Sequence, residues 1–147
     1  MYKKVLLTTD GSDNSLKAVD NVTQLIKNYG SEVMVLYVGY SPLGYFHSDM
    51  PNLHPNIEWE EVMAKCNQKT INRMVNKLKL ANIEAKPITK MGDPADMICQ
   101  VAEEEDIDLI VIASRGLSPA KRFISGQLGS VSTKVVNHAP CPVLVVR

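Results

Sequence analysis

Apolar residues alternate along this chain between two rhythms. Short near-continuous runs, such as Val33-Met34-Val35-Leu36-Tyr37-Val38 and Leu109-Ile110-Val111-Ile112, are separated by longer stretches in which apolar positions recur every three or four residues. The short runs predict strands buried on both faces, and the longer stretches predict amphipathic helices. Val5–Thr8 is the first strand. Asp10-Gly11-Ser12 follows as a turn, with Ser12 as helix N-cap. Leu16, Val19, Val22, Leu25, Ile26 and Tyr29 mark a helix that Gly30 ends. Glu32–Val38 is the second strand. Gly39–Pro55, with Pro42, Gly44, His47, Pro51 and His54, reads as a long connection, either a lid or a mobile surface loop. A helix over Ile57–Ala81 places Met63, Cys66, Thr70, Met74, Val75 and Leu78 on one face. Ile83–Met91 is a weaker strand. Pro87 within it cannot donate to a sheet ladder, which puts this strand at an edge. Asp93 then caps a helix with Pro94 at its first position and Ile98, Val101 and Ala102 on its apolar face. Glu103–Asp106 is its solvated end. Leu109–Ile112 is the fourth strand, Ser130–His138 a short helix and Pro142–Arg147 the last strand.

Strict alternation of strand and helix predicts a single α/β domain. Its sheet is parallel, with helices on both faces and right-handed crossovers. Ligands of such sheets bind beyond the carboxyl ends of the strands, where the strand order reverses. Candidate site residues are therefore those following strands one, two and four.

The bulk numbers narrow the classes. A chain of 147 residues suits one domain with a substantial core. Sixteen basic and sixteen acidic residues cancel, so no electrostatic argument favours nucleic acid or an anionic membrane as partner. Met1–Leu7 begins like a secretory signal, but its apolar stretch after Lys3-Lys4, Val5–Leu7, ends at Thr8-Thr9-Asp10, short of the about 7–15 residues an h-region needs, and a cytoplasmic protein is expected. Cys66, Cys99 and Cys141 are odd in number and widely spaced, without Cys-x-x-Cys, which argues against a disulfide framework or a zinc site. Cys66 and Cys99 are expected as buried free thiols.

The chemistry concentrates in one segment. Leu109–Ile112 runs into Ala113-Ser114-Arg115-Gly116, and Gly129-Ser130-Val131-Ser132 opens the next helix. Strand, glycine loop and helix N-terminus together form an anion site, because unpaired N–H groups and the positive end of the helix dipole face the ligand. Gly116, Gly126 and Gly129 could equally be turn glycines. Arg115, Lys121 and Arg122 would add positive charge near a phosphate, or, for the last two, form a solvated loop. There is no Gly-x-Gly-x-x-Gly after the first strand, no P-loop sequence and no Gly-x-Ser-x-Gly elbow. His47, His54 and His138 have no carboxylate or cysteine at ligand spacing.

The whole chain resembles the universal stress proteins. The resemblance rests on Thr9-Asp10-Gly11-Ser12, Gly92-Asp93-Pro94, Ser114-Arg115-Gly116-Leu117-Ser118, Gly129-Ser130-Val131-Ser132 and the tail Ala139–Val146, in this order. It implies an adenine nucleotide alpha hydrolase-like α/β fold, a single open five-stranded parallel sheet in the order 3-2-1-4-5. It implies a homodimer through the C-terminal strand Val143–Val146, whose edge no charge or proline blunts.

One branch of the family binds ATP through Gly-x2-Gly-x9-Gly-[Ser/Thr]. Carried over, Thr8 and Thr9 line the adenine pocket, Asp10 lies near ribose and adenine, and the Val38 backbone meets the adenine edge. Gly116, Gly129 and Ser130 hold phosphates, with Ala113, Ser114, Arg115, Val131 and Ser132 around them. The sequence departs from the motif twice. Ala113 replaces its first glycine, and twelve residues rather than nine separate Gly116 from Gly129. Pairing Gly116 with Gly126 restores nine but puts Gln127 where Ser or Thr belongs, so the Gly129-Ser130 register is preferred. Three added residues amount to about one helical turn and can bulge outward without moving the two ends. The expectation is a dimeric stress-response regulator that binds ATP, AMP or ADP, with Mg2+ possible and Asp10 a weak metal candidate. Occupancy would order the Gly116–Gly129 loop and alter a surface read by an unknown downstream protein. A nucleotide-free interaction protein of the same fold and a slow ATPase stay open as alternatives.

Overall fold

The computed structural model describes residues 1–39, 59–114 and 129–147. The elements are β1 (Lys4–Thr9), α1 (Asp13–Tyr29), β2 (Glu32–Gly39), α2 (Trp59–Leu80), β3 (Ala85–Met91), α3 (Pro94–Glu104), β4 (Leu109–Ala113), α4 (Ser130–His138) and β5 (Val143–Val146). The five strands form one parallel sheet in the order β3-β2-β1-β4-β5. Alternate residues of each strand point to opposite faces, and two cores result. Val5, Leu7, Val33, Val35, Leu109 and Val111 pack against α1 and α2. Leu6, Met34, Leu36, Ile110 and Ile112 pack against α3 and α4. Burial on both sides explains why these strands read as continuous apolar runs rather than as alternating ones.

The strand with Pro87 lies at the edge, as its sequence requires. Pro87 registers against Val35 of β2, and nothing among the described residues pairs with its other side. The helix starts follow their capping residues. Ser12 Oγ accepts from Ser15 N at 3.2 Å, and Asp93 Oδ1 accepts from Asp96 N at 3.0 Å. No helix among the described residues is long and apolar enough to cross a membrane.

Boundaries move slightly from the sequence reading. β2 runs on to Gly39, because β3 continues alongside it to the pair Gly39↔Met91. A β-carbon on Gly39 would sit 2.9 Å from Met91 Sδ and 3.0 Å from Asn67 Nδ2, so a larger residue there would push these side-chain ends aside. The face of α2 is also rotated from the expected one. Asn67, Ile71, Met74 and Leu78 are buried, whereas Cys66 is exposed. The packing stripe thus runs through an amide, one position beyond the cysteine, and the expectation of a buried Cys66 thiol is corrected. Cys99 is half-buried rather than buried. Met63, His47, His54 and the Gly39–Pro55 connection beyond Gly39 lie outside the residues whose side chains are described.

An ionisable clasp closes the amino end of the sheet. Asp108, just before β4, accepts from the backbone N–H of Lys3 and Lys4, each at 2.9 Å. The bond from Lys4 leads in holding this carboxyl below its ordinary value near 3.8. A depressed folded-state value means the stabilisation is complete above the unfolded value and is lost as pH falls through the folded one.

The core and the clasp respond differently to substitution. Cys66→Ser should leave the unfolding free energy from urea titration within about 0.5 kcal/mol of wild type, while Ile110→Ala should cost about 2–5 kcal/mol at an unchanged denaturant slope. The stability difference between wild type and Asp108→Asn should be full near neutral pH and shrink toward zero below about pH 3.8, as urea titrations across the acid range will read out.

Candidate functional site

The strand order reverses at β1. From β1 the chain moves outward through β2 to β3 with α1 and α2 on one face, and from β4 it moves to β5 with α4 on the other. Ladder pairing between β1 and β4 ends at Leu7↔Val111. Beyond that pair the carboxyl ends separate, and the crevice between them is where an open α/β sheet binds its ligand. Thr8 and Thr9 end β1 with Asp10 after them, Ala113 ends β4 with Ser114 after it, and the start of α4 is tied to Ser114 through Gly129 N.

The β1 side is internally braced. Thr8 Oγ1 donates to Val111 O at 3.3 Å across the opening. Thr9 Oγ1 shares a hydrogen bond with Ser15 Oγ at 2.9 Å and accepts from Gly11 N at 3.1 Å. Asp10 Oδ1 accepts from Ser12 N at 2.9 Å, which turns the chain into α1 and fixes the carboxylate at the mouth. Gly11 holds φ +81°, and a β-carbon there would meet Thr70 Cγ2 at 2.9 Å, so the turn after Asp10 requires glycine. On the β2 side, pairing with β1 stops at Thr9↔Tyr37. Val38 and Gly39 therefore extend past β1 and are paired only with β3 among the described residues.

The β4 side holds the helix start. Ser114 N donates to Val146 O at 2.7 Å, and Gly129 N donates to Ser114 O at 2.6 Å. The segment carrying three residues beyond the expected spacing therefore leaves and returns at two hydrogen-bonded ends. Ser132, nearly fully buried, donates from Oγ to Ser114 O at 3.2 Å and Gly129 O at 3.0 Å. Its hydroxyl braces the helix against the strand. Ser130 is exposed at the first turn. Strand alternation puts Ala113 on the α1 and α2 face, since Ile112 faces α3 and α4. Its methyl group thus lies on the side of the sheet opposite α4. Arg115 and Gly116 lie outside the described residues, as do Lys121, Arg122 and Gly126.

The three helix starts with described caps differ in electrostatics. α1 has the Ser12 cap and Asp13 in its first turn, and α3 has the Asp93 cap and Asp96 in its first turn. α4 has Gly129 at its N-cap, no side-chain cap and no acidic residue in its first turn. Among the described residues, its leading N–H groups and positive dipole end have no side-chain partners of the kind the other two possess.

One ion pair between α3 and α4 was invisible in the sequence. Lys134 of α4 reaches Asp93 Oδ1 at 3.1 Å and Asp96 Oδ1 at 2.8 Å. Asp96 and then Asp93 hold its ammonium above the ordinary lysine value. In return Asp93, through its bond from Asp96 N and then Lys134, is held below the ordinary carboxylate value. The partners stand about 40 positions apart, and no local spacing rule links them.

Partial burial pushes the thiols of Cys99 and Cys141 up, away from the thiolate. Among the described residues, no group of three or more His, Cys, Asp or Glu side chains is placed to hold a metal ion.

Comparison with known proteins bears on the family and the fold. The model of the universal stress protein family matches residues 1–147. The universal stress protein YxiE of Bacillus subtilis is 34% identical over 151 aligned positions, covering 100% of both chains. The solved structure of protein MJ0577, from Methanocaldococcus jannaschii, is 29% identical, with a TM-score of 0.75 over 99% of this chain and 96% of that one. A universal stress protein solved in complex with cAMP has the same fold at 24% identity, with a TM-score of 0.69 over 99% of this chain and 97% of the other. A family match over the full length, a curated relative of equal extent and the 3-2-1-4-5 sheet lead to one conclusion: this chain belongs to the universal stress protein family.

Proposed function

We propose that the protein binds an adenine nucleotide in the crevice between β1 and β4 and acts as a homodimeric stress-response regulator. The observation that carries this reading is the start of α4, left without cap side chain or acid while the starts of α1 and α3 have both. A phosphate supplies what the helix lacks, accepting from its leading N–H groups and lying at its positive end. Solved structures sharing this fold hold cAMP, dAMP in the protein from Archaeoglobus fulgidus, and AMP in the protein from Arabidopsis thaliana. Their ligands have the chemistry that this crevice suits.

In this reading Gly129 and Ser130 receive the phosphate, together with the backbone of Val131 and Ser132. Asp10 lies by the ribose, Thr8 and Thr9 line the base pocket, and the Val38 backbone faces the base edge. Ser114 fixes the helix against β4, and Arg115 and Gly116 complete the phosphate side. ATP, ADP and AMP share this recognition. A divalent ion such as Mg2+ would join through the phosphates of a longer nucleotide, with Asp10 the nearest carboxylate to it. The groups named bind and orient, and binding without turnover is the activity proposed.

The dimer is proposed along β5. This strand forms the sheet edge beyond β4, and Leu144 of β5 and Val136 of the adjoining α4 are exposed at 37% and 46%. A second copy pairing there would remove an unblunted edge from solvent. Sedimentation velocity at micromolar concentration should give a single species of twice the chain mass; a monomer would remove this part of the proposal.

For the ligand, heat release of small molecules from purified protein, followed by chromatography, should yield adenine nucleotide, and calorimetry with AMP should give one site per chain. Gly129→Asp supplies the missing cap and places a carboxylate where the phosphate would lie. It should keep or slightly raise the melting temperature while weakening AMP at least about tenfold, because the capping and the binding compete for the same N–H groups. No heat with AMP at millimolar concentration, and no released nucleotide, would sink the reading.

A further inference from the structure

We propose that Lys134 is a positioning residue that holds the phosphate-binding and base-binding halves of the crevice in register. This proposal rests on the nucleotide reading and deepens it. The phosphate half is the start of α4. The base half is the end of β2 at Val38. No strand pairing joins them directly, since β1 and β4 lie between β2 and β5 in the sheet.

A chain of contacts bridges the gap. Lys134 lies one helical turn beyond Ser130 and binds Asp93 Oδ1 at 3.1 Å and Asp96 Oδ1 at 2.8 Å. Asp93 caps α3, accepting from Asp96 N at 3.0 Å. The preceding residue, Gly92, donates its N–H to Gly39 O at 3.1 Å, and Gly39 adjoins Val38. The sequence of links therefore runs from the phosphate helix through two carboxylates and a cap to the strand end that faces the base. On the other flank, Ser132 ties the same helix to Ser114. The two anchors fix both the tilt and the advance of α4.

Why a half-exposed ion pair should matter here is a question of geometry. Such pairs add little to global stability, about 0.2–1 kcal/mol each. A nucleotide, however, must satisfy its base and its phosphate at once, and its affinity is sensitive to the separation of the two half-sites. The two carboxylates also decide how the lysine acts. With both on its ammonium, Lys134 is occupied by the protein and works on the ligand through helix placement, not by touching the phosphate.

The test is calorimetry with AMP and with adenosine on wild type, Lys134→Met, Lys134→Arg and Asp96→Asn, each checked for folding by circular dichroism. Lys134→Met should weaken AMP by about fivefold, the worth of two exposed pairs, and leave adenosine unchanged, because adenosine does not span the halves. Lys134→Arg should retain most of the affinity. Asp96→Asn should weaken AMP in the same direction as Lys134→Met, by about two- to threefold. The sign for Asp96→Asn is decisive. Tighter AMP binding would mean that freeing the lysine lets it contact phosphate directly, which overturns the positioning role. An unchanged AMP-to-adenosine ratio in Lys134→Met, with only the melting temperature lowered, would overturn it as well. Failure of wild type to bind AMP would instead remove the nucleotide reading, and this proposal with it.

Discussion

The pairing of β1 with both β2 and β4 is the interaction on which the rest of the molecule depends. Val5, Leu6 and Leu7 are at most 1% exposed, and each turns to one of the two cores. Because β1 is central, its outward neighbours are built on opposite faces, and the crossovers diverge from it. The crevice is a consequence of that divergence rather than a separate invention. The β1–β4 ladder stops at Leu7↔Val111, and the next residues of the chain, Thr8-Thr9-Asp10, follow at that end of the sheet. A substitution that shifted β1 by one residue would exchange its two cores and move the site residues to the wrong faces.

The crevice has a rigid wall and an unsatisfied one. The β1 wall consumes its own polar groups through Thr8, Thr9, Asp10, Ser12 and Ser15. The α4 wall is firmly held by Ser132 and Lys134, yet its first turn has no cap. Among the described residues, the start of α4 differs from those of α1 and α3 in having a glycine cap with no capping side chain. Such a departure, at the place where topology expects a ligand, is the pattern of a functional site. With glycine as its cap, α4 forgoes only about a few tenths of a kcal/mol relative to a serine or aspartate cap, so an open helix start costs the free protein little.

Much of the fold was legible in the sequence because parallel strands buried on two faces leave continuous apolar runs. Pro87 located an edge, and Ser12 and Asp93 located helix starts, each through a property of a single residue. The candidate site could be framed in outline, since Thr8 and Thr9 end β1 with Asp10 just after it, and Gly129 opens α4. Other features depend on distances that sequence does not carry. Whether Cys66 or Asn67 faces the core is a rotation of about 100° on a helix, and the polar Asn67 gave no apolar signal for it. The extension of β2 to Gly39 depends on β3 running alongside. The role of Lys134 depends on α3 and α4 packing side by side, with Asp93 and Asp96 at one end. The effect of Ala113 could be framed from sequence but needed the sheet to give its face.

If the start of α4 is the anion-binding element of an adenine nucleotide site, its amides must respond to the phosphate. The most direct measurement is amide chemical-shift perturbation in 15N-labelled protein titrated with AMP. The largest shifts are expected at Ser130, Val131 and Ser132, with a second group at Thr9, Asp10 and Val38, and near-silence at the capped starts of α1 beyond Ser12 and of α3. Shifts absent from Ser130–Ser132 at saturating AMP, or centred at the amino ends of the strands, would contradict it.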